Sequence, residues 1–153
     1  MTAKRSLHAV TSGGAAAPRR GLRIVVADDD RDTATTLALL LRDEGHEVHT
    51  VMRGDEVLEL CRLTRPDVVI TDINLPGMSG FAIARELHAR HGLVAPLLIA
   101  ISGAWTKTSD RLLGMAVGFD HYLLKPCDPR ELMPLLESAR SAGSNTARGA
   151  SAG

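Results

Sequence analysis

Residues 22–30 read LRIVVADDD, an apolar and largely β-branched run that meets three consecutive aspartates. This composition is typical of a buried strand, and Gly21 precedes it. The segment that follows carries apolar residues at the i, i+3, i+4, i+7 spacing of one helix face, namely Ala34, Leu37, Ala38 and Leu41. Gly45 is a typical stop after such a helix. The stretch therefore predicts a strand, β1 (Leu22–Ala27), that leads into an amphipathic helix, α1 (Arg31–Glu44).

The same strand-then-helix unit occurs four more times along the chain. Short apolar runs predict the other strands, which are β2 (His46–Val51), β3 (Asp67–Thr71), β4 (Pro96–Ile101) and β5 (Phe119–Leu124). Amphipathic stretches predict the other helices, which are α2 (Gly54–Arg65), α3 (Gly80–Arg90), α4 (Thr106–Val117) and α5 (Pro129–Arg140). Apolar strands that alternate with helices form a parallel sheet covered on both faces. We predict a doubly wound, flavodoxin-like α/β fold with five helices and a five-stranded parallel sheet of order 2-1-3-4-5.

The 153 residues carry a formal net charge of zero, but the charges are unevenly distributed. Residues 1–21 contain four cations and no acid, and residues 141–153 contain one arginine and no acid. Residues 22–140 therefore hold 13 of the 18 Lys and Arg and all 18 Asp and Glu, a net charge of −5. Small and polar residues dominate both end segments, which cannot offset the entropy of ordering the chain. We expect a flexible basic N-terminal tail over 1–21, one folded domain over 22–140, and a flexible C-terminal tail over 141–153.

Composition excludes several classes of protein. At 44% hydrophobic and 24% charged residues, the chain is typical of a globular domain rather than a disordered or fibrous protein. No apolar run approaches the roughly 20 residues of a membrane span, and no segment has the core of a signal peptide. Two cysteines, Cys61 and Cys127, do not make a disulfide framework, and the six histidines lack metal-ligand spacing and are expected at the surface. We expect a cytoplasmic protein with reduced thiols and no membrane contact.

Polar residues gather at one predicted edge of the sheet, where the carboxyl ends of the strands meet. The residues that follow the strands there are Asp28, Asp29 and Asp30 after β1, Asp72 after β3, Ser102 after β4 and Lys125 after β5. In doubly wound folds ligands bind beyond this edge. Neighbouring carboxylates repel one another unless a cation neutralises them, and Mg²⁺ prefers oxygen ligands that it shares with phosphate. An aspartate can accept a phosphoryl group while a lysine and a hydroxyl hold its oxygens, so the pattern suits a Mg²⁺-assisted phosphoryl acceptor.

Four motifs in this order resemble the response-regulator receiver domain of bacterial two-component signalling. They are IVVADDD (24–30), DVVITDINLPGMSG (67–80), IAISG (99–103) and GFDHYLLKP (118–126). The resemblance covers residues 22–140 and implies a stand-alone receiver of chemotaxis-type architecture, with a fragment of a larger protein as the alternative. The stretch SGAWTKTSDRLLGMAVGFDHYLLKP (102–126) is also similar to receivers attached to hybrid histidine kinases.

The resemblance implies which residues carry the phosphate and the metal. Asp72 would be the phosphorylated residue. The metal ion, Mg²⁺ or Mn²⁺, would be bound by Asp28, Asp29, Asp72 and the backbone carbonyl of Asn74. Asp30 is not expected among the ligands, because an acid at that position suits the start of α1.

The resemblance also implies a conformational switch. Lys125 and the Ser102 hydroxyl would bind the phosphoryl group, and the peptide bond between Lys125 and Pro126 would be cis. Phosphorylation would draw the Ser102 hydroxyl inward, and Tyr122 would follow it into the vacated space. The α4–β5–α5 surface would change as a result, which is a population shift between two conformations.

The partners implied are those of a signalling protein. A histidine kinase or a histidine phosphotransfer protein would donate the phosphate. A downstream effector protein would bind the α4–β5–α5 surface, through which two copies could also form a homodimer. The chain would be a switch that catalyses its own phosphorylation and slow dephosphorylation rather than a metabolic enzyme. We expect no DNA binding within this chain, because the 13 residues after Arg140 are too few for a helix-turn-helix.

Three other functions are weighed against this one. An aspartyl-phosphate phosphohydrolase typically has a second acid two residues after the nucleophile, where this chain has Asn74. A flavin- or nucleotide-binding module would need a glycine-rich loop after β1, where the chain has aspartates. A scaffold that is never phosphorylated would not need the complete set Asp29, Asp72, Ser102 and Lys125. The phosphohydrolase and the scaffold are kept as alternatives to the receiver.

Overall fold

The computed structural model describes residues 21–103, 116 and 118–152, with side chains for all of these except 93 and 142–152. Residues 1–20 of the predicted N-terminal tail lie outside the described residues. So does the predicted helix α4, apart from Ala116, which is helical. Within the described part of the chain, no helix is both long and apolar enough to cross a bilayer.

Five parallel strands form one sheet of order β2-β1-β3-β4-β5, which confirms the predicted topology. The strands are β1 (Arg23–Ala27), β2 (Glu47–Val51), β3 (Val68–Asp72), β4 (Leu97–Ser102) and β5 (His121–Leu124). Every residue of β3 is buried, as expected for a central strand with helices on both faces. Because the strands run in the same direction, their carboxyl ends meet at one edge, where Asp72 ends β3.

Helices pack on both faces of this sheet. Those described are α1 (Arg31–Asp43), α2 (Gly54–Thr64), α3 (Gly80–His91) and α5 (Pro129–Ala152), with a 3-10 turn over Gly92–Val94. The Asp30 carboxylate caps α1 by accepting from the Asp32 N–H at 3.1 Å, and the Ser79 hydroxyl caps α3 by accepting from the Ala82 N–H at 3.2 Å. Each cap fixes the start of a helix just after a loop that leaves the carboxyl edge of the sheet.

Successive residues of each strand point to opposite faces, and this produces two apolar cores. Ile24 belongs to the core between the sheet and helices α1 and α5, which also contains Leu41. The next residue, Val25, belongs to the core between the sheet and helices α2 and α3, which also contains Leu87. All four side chains are at most 1% exposed. The sheet that positions the strand ends is therefore held rigidly from both sides.

The last helix is longer than the sequence predicts. It continues from Pro129 to Ala152, so the predicted end at Arg140 is wrong. The twelve added residues include four alanines but also two glycines, so helix propensity alone does not account for the extension, although a helix that has already formed is lengthened without a new nucleation step. The apolar stripe does not detect such an extension, because residues 141–152 contain no large apolar residue that would continue it. The flexibility expected of 141–153 stays a prediction.

His46, between α1 and β2, is 7% exposed and not at the surface as predicted. Its Nδ1 lies 3.0 Å from the Leu22 N–H and accepts a hydrogen bond, which requires a neutral imidazole with its proton on Nε2. Burial, followed by the positive charge of Arg140, lowers the pKa of His46, while the charges of Glu44 and Glu137 act in the opposite direction. The sequence did not reveal this position, because the absence of metal-ligand spacing says nothing about burial.

Acid is expected to destabilise the fold through His46. Because its folded-state pKa lies below the ordinary value of 6.5, this contribution to stability is present above that pH and is lost as the pH falls through the folded-state value. His46→Gln keeps an acceptor but does not titrate. It should lessen the fall in unfolding free energy between about pH 7 and about pH 5 by up to about 1.4 kcal/mol per pH unit, measured by urea unfolding. His91→Gln removes an exposed histidine and is the control; equal pH slopes for wild type and His46→Gln would contradict the prediction.

Candidate functional site

Four charged residues meet at the carboxyl edge of the sheet. Asp28 and Asp29 follow β1, Asp72 ends β3, and Lys125 follows β5. One carboxylate oxygen from each of the three aspartates lies within 4.8 Å of those of the other two. Asp28 and Asp72 are 4% and 9% exposed, whereas Asp29 is exposed to solvent. The fold thus brings together four of the five charged residues that the sequence placed at this edge, all except Asp30.

Lys125 bridges two of the carboxylates. Its Nζ lies 2.8 Å from Oδ2 of Asp28 and 2.8 Å from Oδ2 of Asp72. Burial disfavours the charged ammonium, but the hydrogen bonds and negative charges of both aspartates outweigh burial and raise the pKa of Lys125. The ammonium is therefore charged at neutral pH and supplies one positive charge against three carboxylates. The peptide bond from Lys125 to Pro126 is cis, as the resemblance implies.

Backbone amides orient the same two carboxylates from the other side. The Asp30 N–H donates to Oδ1 of Asp28 at 2.9 Å, and the Asn74 N–H donates to Oδ1 of Asp72 at 3.3 Å. Asp28 and Asp72 each use one oxygen for a backbone amide and the other for Lys125. Both carboxylates are thus held in one orientation before anything binds. The sequence did not predict these amides, because a backbone donor leaves no signal in residue identity.

Ser102 and Tyr122 lie on the two strands beyond Asp72. Ser102 ends β4, one residue past the register partner of Asp72, and is 2% exposed. Tyr122 lies on β5 opposite Ala100, with its side chain half-buried and its hydroxyl oxygen shielded from solvent. The structure therefore places Ser102 at the edge that carries the acidic cluster and Tyr122 two residues back along the next strand. Their roles as a switch stay predictions.

Two acids near the motifs stand apart from the cluster, and for Asp30 this was expected. The carboxylate of Asp30 is engaged at the start of α1, where it also accepts from the Thr33 hydroxyl at 2.9 Å. Asp67 precedes β3 at the opposite edge and accepts from the Arg23 N–H at 2.8 Å. Cys127 lies close in sequence to Lys125, but burial, with the charges of Glu131 and Asp128, raises the pKa of its thiol to about 11. The thiol is therefore uncharged at neutral pH and a poor nucleophile.

The acidic cluster suits a hard divalent cation. Its donors are carboxylate oxygens alone, from Asp28, Asp29 and Asp72. Mg²⁺ prefers oxygen ligands, uses one or two carboxylates, and completes its coordination with water and phosphate oxygens. The single ammonium of Lys125 leaves two negative charges without a counter-charge inside the cluster. These three aspartates would hold Mg²⁺ or Mn²⁺, and a contribution from the Asn74 carbonyl stays a prediction.

An apolar groove lies beside the charged residues. It has a volume of about 700 Å³ and runs between α1 and the β5–α5 connection, with Asp28, Asp72 and Lys125 at one end. Its α1 wall includes Thr33, Thr36, Leu37 and Leu40. These residues follow the i, i+3, i+4, i+7 spacing, so a second stripe on α1 was the signal in the sequence that could have revealed the groove. The groove is lined both by apolar side chains of α1 and by the charged residues of the cluster, Asp72 among them.

Comparison with known proteins now decides the family. The model of the response regulator receiver domain matches residues 24–137 of this chain. The chain belongs to this family. It is 40% identical over 111 residues to the DNA-binding response regulator MtrA of Mycobacterium tuberculosis, covering 72% of this chain and 47% of that protein. It is 39% identical over 107 residues to the transcriptional regulatory protein CreB of Escherichia coli, covering 70% of this chain and 45% of that protein.

This receiver domain spans about half the length of the two relatives. It also resembles the solved structure of the chemotaxis response regulator CheY4 of Vibrio cholerae. The TM-score is 0.69 at 26% identity, and the match covers 78% of this chain and 98% of that one. Sequence and fold thus agree on a receiver domain of two-component signalling.

Proposed function

We propose that this receiver domain accepts a phosphoryl group on Asp72 from a phosphohistidine of a histidine kinase or a histidine phosphotransfer protein. A carboxylate oxygen of Asp72 forms the new P–O bond. The P–N bond to the donor imidazole breaks, and the imidazole leaves with the bonding electron pair and takes up a proton from solvent. The observation that carries the proposal is the setting of Asp72, which contacts Lys125 at 2.8 Å within the three-aspartate cluster. The domain acts as a signalling switch and not as a metabolic enzyme.

The residues around Asp72 are proposed to bind the cation and the phosphoryl group. Asp28 and Asp29, with Asp72 and the Asn74 carbonyl, would hold the divalent cation, which when bound neutralises charge on the phosphoryl oxygens. Lys125 gives up its contact with the Asp72 carboxylate once this is phosphorylated, and its Nζ donates to a phosphoryl oxygen instead.

The apolar groove beside Asp72 supports a protein as the phosphate donor. A small donor such as acetyl phosphate needs only the charged residues, whereas a donor protein must dock close enough to bring its phosphohistidine to Asp72. The groove lies along α1 and reaches the cluster, and Leu40 on its wall provides an apolar contact. A helix that carries the phosphohistidine would dock with its apolar face along this groove.

The phosphorylated domain is proposed to signal by binding other proteins through its α4–β5–α5 surface. On β5, Leu124 is 54% exposed one residue before Lys125, which places an apolar contact next to the site. An effector protein, or a second copy in a homodimer, would bind there when Ser102 and Tyr122 change position. The match to the chemotaxis response regulator CheY4 supports a chemotaxis-type receiver. The proposed location is the cytoplasm, where the free thiols of Cys61 and Cys127 stay reduced. DNA binding, which the name of MtrA states for that protein, is not proposed for this chain.

The proposed function is tested by the intact mass of the protein after incubation with acetyl phosphate. We expect a gain of one phosphoryl group with Mg²⁺ and almost none when EDTA replaces it, because the carboxylates otherwise repel the anionic donor. A protein that gains no mass under either condition would be the unphosphorylated scaffold. Equal labelling with and without Mg²⁺ would contradict the role given to the acidic cluster.

A further inference from the structure

Helix α3 is attached at its start to the strand that carries Asp72. The first residue of α3, Gly80, donates its N–H to the Ile73 carbonyl at 2.8 Å, one residue beyond Asp72. Gly80 also lies so close to this strand that a Cβ there would be 2.7 Å from the Asp72 carbonyl oxygen. A displacement of the β3 end is therefore passed directly to the start of α3.

The other end of α3 is attached to the segment that leads into β5. His88 Nε2 lies 2.8 Å from the carbonyl oxygen of Gly118, and because a carbonyl only accepts, Nε2 carries the proton and donates. Gly118 has a φ of +113°, and a Cβ at this position would overlap the imidazole ring of His88. Glycine is required here both for the backbone conformation and for the approach of His88.

Aromatic rings form a second set of contacts between α3 and the segment that leads into β5. Phe81, in the first turn of α3, contacts Phe119 edge-to-face with ring centroids 6.4 Å apart. Phe119, directly after Gly118, contacts Tyr122 in the same way at 5.7 Å. Phe119 is 4% exposed, so it has little room to move independently of its neighbours. The position of Gly118 therefore bears on that of Tyr122 through Phe119.

We infer that His88 is a positioning residue of the switch, through which α3 couples the state of Asp72 to Gly118 and hence to Phe119 and Tyr122. This inference rests on the proposed function and adds a second connection, through α3, to the one through Ser102. A hydrogen bond at one end of a rigid helix and backbone contacts at its other end form a continuous physical link between the two sites. Loss of the His88 donor removes the hydrogen-bonded part of this link, so that only the contact between Phe81 and Phe119 joins α3 to Phe119, and it leaves Asp72 and its ligands in place.

The test compares amide chemical shifts of the full chain before and after addition of beryllium fluoride with Mg²⁺, an unreactive stand-in for the phosphoryl group. Wild type should respond at Asn74, beside Asp72, and along β5 (His121–Leu124). His88→Leu, which keeps an apolar side chain without a donor, should respond fully at Asn74 but at less than about half the wild-type size along β5. His88→Gln, whose amide can donate to Gly118, should recover most of the β5 response.

The matched control is His91→Leu, the same change one turn further along α3 at an exposed position. It should respond as wild type does. Should His88→Leu fail to fold, His88→Ala gives the same comparison with a smaller side chain. A full β5 response in the folded variant without a donor, with normal labelling of Asp72 by acetyl phosphate, would overturn this inference alone. A wild type that shows no response and no labelling would overturn the proposed function as well.

Discussion

Replacement of Asp72 by asparagine is expected to reduce labelling by acetyl phosphate to background, a loss of at least about 1,000-fold. The amide matches the carboxylate in size, and its oxygen can still accept the hydrogen bond that Lys125 Nζ now gives to Oδ2 at 2.8 Å. It has no anionic oxygen that can attack phosphorus. Since the cluster also loses one of its three negative charges, the fold should be retained. The loss is then chemical and not structural.

Intact mass after incubation with acetyl phosphate and Mg²⁺ measures this effect. Asp43→Asn is the matched control. It makes the same chemical change far from the carboxyl edge of the sheet, because Asp43 is exposed at the end of α1. Circular dichroism verifies that both variants fold. If Asp72→Asn gains a phosphoryl group at the wild-type rate, the phosphoacceptor is another residue and the proposed function is wrong.

The fold could be predicted from the sequence because a parallel sheet buries both faces of its strands. The run VVI at 68–70 is continuously apolar, and no charged residue interrupts the strand until Asp72. Apolar helix stripes between such strands leave few topologies open, since consecutive parallel strands need right-handed crossovers. The meeting of Asp28, Asp29, Asp72 and Lys125 at one edge followed from the same reasoning, because residues at the carboxyl ends of parallel strands lie at the same edge of the sheet.

The geometry inside the site could not be predicted in this way. Residue identity places Lys125 at the correct edge but does not show that its Nζ lies between Asp28 and Asp72. That position depends on side-chain rotamers and on packing against the groove. The burial of His46 was missed for a related reason, since its partner is the backbone N–H of Leu22, which is distant in the sequence. The extension of α5 was missed because residues 141–152 contain no large apolar residue that would continue a helix stripe.

The negative charge of the acidic cluster has two opposing effects: it lowers the stability of the folded protein without metal, and it favours binding of a divalent cation. Three carboxylates with oxygens within 4.8 Å of one another face a single ammonium, so the cluster without metal has an excess of negative charge. Like charges at this distance destabilise the folded state, because unfolding separates them. The same excess attracts a divalent cation. A replacement of Asp29 tests both charge repulsion and cation binding. Asp29 is exposed, so its replacement leaves the buried contacts of Asp28 and Asp72 intact.

Asp29→Asn is therefore expected to be more stable than wild type without Mg²⁺ and less stable than wild type with it. Without the ion, the variant should melt roughly 3 °C above wild type, because it has lost a repelling charge. With Mg²⁺ at about 100 times its dissociation constant, wild type should gain about 2.7 kcal/mol of stability, whereas the variant, having lost a ligand, should gain little. Thermal unfolding over a Mg²⁺ titration measures both effects, and labelling by acetyl phosphate at limiting Mg²⁺ should fall at least about 10-fold.

Asp32→Asn distinguishes this effect from a general loss of acidity. Asp32 is an exposed acid in the first turn of α1, where its charge favours the positive end of the helix. Its replacement should lower the melting temperature slightly and leave the response to Mg²⁺ unchanged, the reverse of Asp29→Asn on both counts. A full Mg²⁺-dependent rise in Asp29→Asn would remove Asp29 from the metal site. If Asp29→Asn melted below wild type without Mg²⁺, the expected repulsion among the three aspartates would already be relieved by Lys125 and solvent.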